Sequence, residues 1–159
     1  MRWDEFAKAC PEIADRARRR FESDQLVLVG TLRRDGSPRI SPNEVDFALG
    51  RLMLGMMWRS RKAVDLSRDP RAVLHSVPSD KDNRGGDVKL HGLAVAEEDA
   101  GVRAAYADAI EARIAWRPEE PFHLFSFDIT EASFIVFGDE RFALMWNPAN
   151  GLRRTTLAG

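Results

Sequence analysis

Three consecutive residues, Ser60, Arg61 and Lys62 in the stretch WRSRKAVDLSRDPRAVL, place a hydroxyl and two cations where a short helix is about to begin. The first turn of a helix carries unpaired N–H groups and a partial positive charge, so an anion placed there meets donors and a favourable dipole. Arg61 would add a forked, permanently charged donor set and Lys62 a compact charge. Two cations at this end oppose the helix dipole, and a bound dianion reverses that penalty. The segment therefore reads as a phosphate site, with Ser60 as N-cap or third donor. From these residues alone a solvated basic turn with Asp65 or Asp69 as partners is the favoured reading, because adjacent basic residues are common.

Other conspicuous residues have plainer explanations. His75, His91 and His123 are scattered over strand-like segments without metal-ligand spacing, and no metal site is expected. Met53, Met56 and Met57 read as core filling. Trp58, at the end of an apolar strand, fits a core position, a subunit contact or the border of a ligand. Glu97, Glu98 and Asp99 read as a strand end and a helix cap. No Ser-His-Asp or Cys-His order stands out, so no catalytic residue is nominated.

The chain that must position these residues has 159 residues, 44% hydrophobic and 31% charged, with a formal net charge of -1. That length and balance suit one globular domain, residues 1–159, with a sizeable core. The charge supplies no basic field for nucleic acid, and no apolar run approaches the roughly 20 residues of a membrane span. The N-terminus lacks an apolar signal-peptide core. The lone Cys10 can form no internal disulfide, in keeping with a reducing, cytoplasmic setting.

The elements follow from periodicity. Phe6, Ala7, Ile13, Ala14, Ala17 and Phe21 recur at helical spacing within an N-terminal segment, 3–22, that Pro11 should split. RARRR reads as its solvated face. From Gln25 the pattern becomes strand-like: QLVLVGTLRR, the turn DGSP with Gly36 at positive φ, then RISPNEVDFAL and RLMLGMMW. Pro42 lacks a ladder donor and belongs on an edge or at a bulge. The helix after Ser60 should stop before Asp69-Pro70. RAVLHSV and VKLHGLAVAEE read as strands around a polar loop. Asp99 should cap a helix to about Trp116, with Val102, Ala105, Tyr106, Ala109 and Ile110 on one side. FHLFSFDIT, SFIVFG and RFALMW read as further strands, and 148–159 as a tail. Tight turns imply antiparallel pairing, an α+β fold and a barrel at about 25–147 with helices at its ends.

Read together, TLRRDGSPRISPNEVDF, LMLGMMWRSRKAVDLSRDPRAVLHS and VKLHGLAVAEE resemble the pyridoxamine 5'-phosphate oxidase-like family of flavin-binding split β-barrels. The resemblance spans about Gln25 to Glu98, and its specific part is S-R-K-A followed by D-P-R-x-x-L. It implies a six-stranded antiparallel split barrel and a homodimer binding FMN, or the deazaflavin F420, at two sites between subunits. It implies that Arg61 and Lys62, with Ser60, hold the cofactor phosphate, that Arg39, Ile40, Ser41 and Pro42 pass along the flavin, and that Gly55 and Met56 back its ring. Gly55 also has a physical rationale, since a missing side chain permits close approach of a plane. Asp87 stands nearest to the family's flavin-contacting glutamine, and Trp146 matches its C-terminal tryptophan. Glu44 replaces a common lysine, and Gly151 and Arg153 replace the arginine and histidine that grip vitamin B6. The resemblance thus carries a cofactor and an oxidoreductase activity on a small molecule, and not that substrate. In such a protein the cofactor does the redox chemistry while the chain binds and orients it. The alternatives are an F420-dependent reductase, with Arg16, Arg18, Arg19 and Arg20 available to an acidic cofactor tail, and a flavin- or haem-binding module without turnover.

Overall fold

The N-terminal segment forms two helices, α1 (Trp3–Ala9) and α2 (Pro11–Asp24), broken as expected at Cys10-Pro11. Pro11 occupies the first turn of α2, where its missing N–H costs no helical bond. One stripe of α2, Ile13, Ala14, Ala17 and Phe21, is buried. The structure, a computed structural model, describes residues 1–158.

Nine strands follow: β1 (Leu26–Leu32), β2 (Pro38–Glu44), β3 (Asp46–Ala48), β4 (Arg51–Met57), β5 (Arg71–Ser76), β6 (Asp87–Ala96), β7 (Phe122–Phe137), β8 (Arg141–Asn147) and β9 (Gly151–Thr156). Two more helices, α3 (Arg61–Arg68) and α4 (Ala100–Ile114), interrupt them. Every strand pair is antiparallel, in the order β2-β1-β5-β6-β7-β4-β3. Closure comes from the run expected as one strand. It breaks at Val45, so that β2 pairs with β1 while its continuation, β3, pairs with β4. Counting β2 and β3 as one run, six strands close a barrel, and the stretch where β2 faces β4 without a ladder is the split.

Met57, expected as core filling, is 79% exposed, and two further expectations about the strands need correction. FHLFSFDIT and SFIVFG are one strand, β7. Opposite them the register passes from His91↔Glu131 to Gly92↔Ile129, leaving Thr130 as an extra residue. The Glu131-Ala132 step that resembled a break lies beside this bulge, which bends a strand without ending it. A Cβ at Gly92 would lie 2.1 Å from the Asp128 carbonyl oxygen, so this bend also requires a glycine. The C-terminal tail contains β9, paired with β8 after Gly151 at φ 65°. Five of the six β9 residues are exposed, so no apolar alternation marked it.

The main core lies between the barrel interior and α1/α2, with Phe6, Phe21, Leu52, Leu54, Leu74 and Phe127 among its members. A smaller cluster, Met53, Tyr106, Ile110, Phe122 and Leu124, lies under α4 on the outer face of β4 and β7. Asp99 caps α4 through the Val102 N–H at 2.9 Å, as expected. Arg113 then pins α4 to β3 by donating to both Asp46 oxygens, at 2.7 and 3.1 Å. No helix among the described residues is long and apolar enough to cross a membrane.

Candidate functional site

Consecutive residues at the start of α3 line two separate clefts. Ser60 is the residue before the helix, yet its side chain makes no capping bond, and its Oγ is buried without a partner. Its N-cap role is thus limited to the backbone, whose carbonyl accepts from the Val64 N–H at 3.0 Å. A buried hydroxyl without a partner is costly.

Arg61 and Lys62 diverge. Arg61 lines a cleft of about 630 Å³ with Arg33, Arg34, Asp35, Arg39, Val64, Asp65 and Arg68. The tight hairpin between β1 and β2, with Gly36 at φ 82°, carries the first three of these neighbours. Asp65, 4% exposed, anchors the floor. It accepts from Thr31 Oγ1 at 3.0 Å and Arg39 Nε at 2.6 Å, and Arg68 lies 3.5 Å away. Burial pushes the Asp65 carboxyl up, but hydrogen bonds from Arg39 and Thr31 and the charges of Arg39 and Arg68 outweigh it and hold the carboxyl below its usual range.

Lys62 turns the other way, into a cleft of about 930 Å³ along the split. Its Nζ donates to the Pro42 carbonyl at 2.6 Å. Burial lowers its pKa, with the Glu44 charge opposing that shift. Pro42, Gly55, Met56, Trp58, Trp116 and Phe122 line the same cleft, so the walls are apolar and aromatic, with few polar groups. Such composition suits a flat, partly apolar ligand. Asn43 Nδ2 bridges the split by donating to the Gly55 carbonyl at 3.1 Å.

Gly55 is small for a different reason from the one expected. A Cβ there would meet Tyr106 Oη at 2.1 Å and Cζ at 2.7 Å, so the space is already filled from α4. Burial, and then the charges of Asp46 and Glu44, raise the Tyr106 pKa, so its hydroxyl stays protonated at neutral pH. Gly55→Ala should cost about 1–3 kcal/mol by overpacking. In a double-mutant cycle with Tyr106→Leu, measured by denaturant unfolding, the coupling should be favourable, because leucine removes the atoms that clash. Additive losses would contradict this contact.

Of the residues expected to bind cofactor, Arg39 and Arg61 meet in the basic cleft, and Pro42, Gly55, Met56 and Lys62 in the apolar one. Ser60 lines neither cleft, and its Oγ is buried at the turn. Ile40 is 73% exposed on β2 and Ser41 is half-buried. Asp87 and Trp146 are not gathered here within one chain. Asp87 opens β6 opposite Ile135, with Oδ1 buried and unpartnered. Trp146 is buried on β8, its ring 5.0 Å from that of Phe6. The basic face of α2 is no open groove: Arg16, Arg18 and Arg20 pair with Glu12, Glu22 and Asp24.

Tyr106, His123, Arg33, Arg34 and Arg68 were not singled out as site residues. His123 stacks under Trp58 with ring centroids 4.5 Å apart, and its Nε2 is buried without a partner. Burial, then the charge of Arg103, lowers its pKa. The one available signal was the doubled Arg33-Arg34 before the hairpin turn. Nothing local relates Tyr106 or His123 to the split.

The donor-rich pocket lined by Arg61 suits a phosphate, and the aromatic slot lined by Lys62 suits a planar ring. Known proteins place the chain more narrowly. No curated protein matches it. Solved structures share its fold: a heme binding protein from Mycobacterium smegmatis has TM-score 0.64 and 23% identity over 92% of this chain, which spans 58% of that protein. PhzG from Burkholderia lata 383, solved in complex with tetrahydrophenazine-1-carboxylic acid, has TM-score 0.65 and 15% identity, covering 95% of this chain and 93% of its own. A pyridoxamine 5'-phosphate oxidase-related, FMN binding protein from Nostoc punctiforme PCC 73102 has TM-score 0.63 and 16% identity, covering 94% and 96%. At these identities the likeness establishes the split-barrel fold alone. The family model described as pyridoxamine 5'-phosphate oxidase matches residues 13–136. That match contains both clefts' strands and the Ser60-Arg61-Lys62 turn, and the chain belongs to the pyridoxamine 5'-phosphate oxidase family.

Proposed function

We propose that the protein is a flavin-dependent oxidoreductase that binds FMN as a homodimer and acts on a small molecule. One observation carries this reading: consecutive residues at the start of α3 line two different clefts, Arg61 a basic one and Lys62 an aromatic one. Arg61 and Arg39 hold the cofactor phosphate by charge-assisted bonds. Pro42, Gly55, Met56 and Trp58 bound the ring. The apolar walls exclude water from it, and the Lys62 ammonium, held at the Pro42 carbonyl, sets a positive charge at its edge. Bound flavin supplies the two-electron transfer, and the chain supplies position and electrostatics.

A second copy of the chain closes the site. Ile40, Met57 and Trp58 are 73%, 79% and 50% exposed near the split, an apolar surface that a partner subunit would cover. Equilibrium sedimentation at micromolar concentration should give a dimer, and a monomer throughout would remove the two-chain site.

Cofactor identity is tested by titrating the purified protein with FMN, F420 and haem in parallel. FMN binding should appear as quenched flavin fluorescence and shifted flavin bands at micromolar concentration. Preferential binding of F420 would transfer the same clefts to a deazaflavin reductase. Uptake of haem alone, with a Soret band, would overturn the flavin reading.

A further inference from the structure

The basic cleft holds more charge than a single phosphate needs. Five arginines against two aspartates leave a net of three positive charges around about 630 Å³. Asp65 already engages Arg39 and Arg68, and Arg68 also donates to the Leu32 carbonyl. Asp35 accepts from the Ser37 N–H at 3.0 Å and the Ser37 hydroxyl at 2.6 Å. Among the described residues, Arg33, Arg34 and Arg61 have no carboxylate partner. A phosphate monoester carries about 1.5–2 negative charges at neutral pH, so one such group on Arg61 leaves about one positive charge of the cleft unbalanced. The cleft also lies in the size range of whole small-molecule sites, roughly 300–1,000 Å³.

We propose that this cleft binds a polyanionic group, in which Arg61 and Arg39 hold a first anion and Arg33 and Arg34 of the hairpin hold a second one linked to it. The ligand class is a diphosphate or a polycarboxylate, two sources of the same linked-anion chemistry. The inference rests on the flavin reading only for the identity of the first anion. The hairpin suits this role because its turn is tight and its two arginines are adjacent. They flank the same space as α3, and a forked guanidinium matches either oxyanion in two-point fashion.

The test is calorimetric titration at constant ionic strength with orthophosphate, pyrophosphate and citrate as probes. Wild type should bind pyrophosphate at least about tenfold more tightly than orthophosphate, the effect of one added charge-assisted contact. Arg33→Ala/Arg34→Ala should bring the two within about twofold while orthophosphate affinity holds. Arg33→Lys/Arg34→Lys, which keeps the charge and loses the fork, should fall between. Thermal melts check that each variant folds. Citrate as tight as pyrophosphate supports a site open to carboxylates, and weaker citrate supports a phosphate site. Equal affinity for orthophosphate and pyrophosphate, a preference that survives the double alanine substitution, or no binding of either would overturn the proposal. FMN is titrated separately. Failure of FMN to bind with the pyrophosphate preference intact would refute the flavin reading and leave the polyanion site standing.

Discussion

Arg61→Ala/Lys62→Ala should weaken FMN binding more than a hundredfold while leaving the barrel folded. Charge-assisted hydrogen bonds are each worth roughly 1.5–3 kcal/mol. Contacts to one ligand are coupled, so they are not summed, and a loss of about 3 kcal/mol already exceeds two decades in affinity. The structure divides the effect. Arg61 faces the basic cleft, so Arg61→Ala alone should remove most phosphate affinity. Lys62 reaches the Pro42 carbonyl in the apolar cleft, so Lys62→Ala should act more on flavin spectrum and ring placement than on phosphate. The folded state loses only the Lys62–Pro42 bond, worth about 1 kcal/mol, and gains a helix start with two fewer opposed cations. Fluorescence titration measures the first effect and thermal melts without cofactor the second. Unchanged FMN affinity in the double variant would reduce the pair to a solvated turn.

Asp65→Ala should destabilise the fold by about 3 kcal/mol. Removing one member of a buried ion pair typically costs about 3–5 kcal/mol. Here Arg39 and Arg68 are partly exposed, at 23% and 37% of their side chains, so water relieves some of their loss. Thr31, 2% exposed, is less fortunate, because its hydroxyl would lose the partner it has now. Asp65→Asn retains an acceptor for Thr31 and should cost less. The pH dependence has a definite sign. Because the folded-state pKa of Asp65 is lowered, its contribution is complete above the ordinary carboxylate pKa near 4. It is lost as pH falls through the depressed value. The gap between wild type and Asp65→Asn, measured by denaturant unfolding, should therefore be full at pH 7 and shrink below about pH 4. A gap that is constant with pH would show that the carboxylate is not held ionised by Arg39.

Local features of the chain were legible without the fold. Pro11, Gly36, Asp99 and Pro70 each impose a backbone preference on their immediate neighbours, so the helix break, the hairpin, the α4 cap and the end of α3 could be placed from sequence. The short apolar runs of β1, β4, β5 and β6 marked strands because each buries at least one face, and β4 buries both. The Ser60-Arg61-Lys62 turn could be named as a candidate anion site because helix-end electrostatics act within one turn. Resemblance to the split-barrel family added the closed architecture that periodicity alone left general.

What tertiary structure decided depends on distant residues meeting. The break at Val45 that closes the barrel, and Thr130 as a bulge within one long β7, depend on partner strands whose register no local pattern records. The exposed β9 exists because β8 offers an open edge. Arg61 and Lys62 are adjacent in sequence, yet neighbouring positions on a helix face different directions, so they serve different clefts. Arg33 and Arg34 join Arg61 only because the β1–β2 hairpin folds beside α3, whereas Arg16, Arg18 and Arg20 are neutralised one turn away on their own helix. Gly55 seemed to await a ligand plane, and the space beside it belongs to Tyr106, some fifty residues later in the chain. Sequence determined the residue types and local turns at this site. Packing determined which residues share a cleft, because side-chain proximity across a closed barrel is set by strand order and helix docking rather than by spacing along the chain.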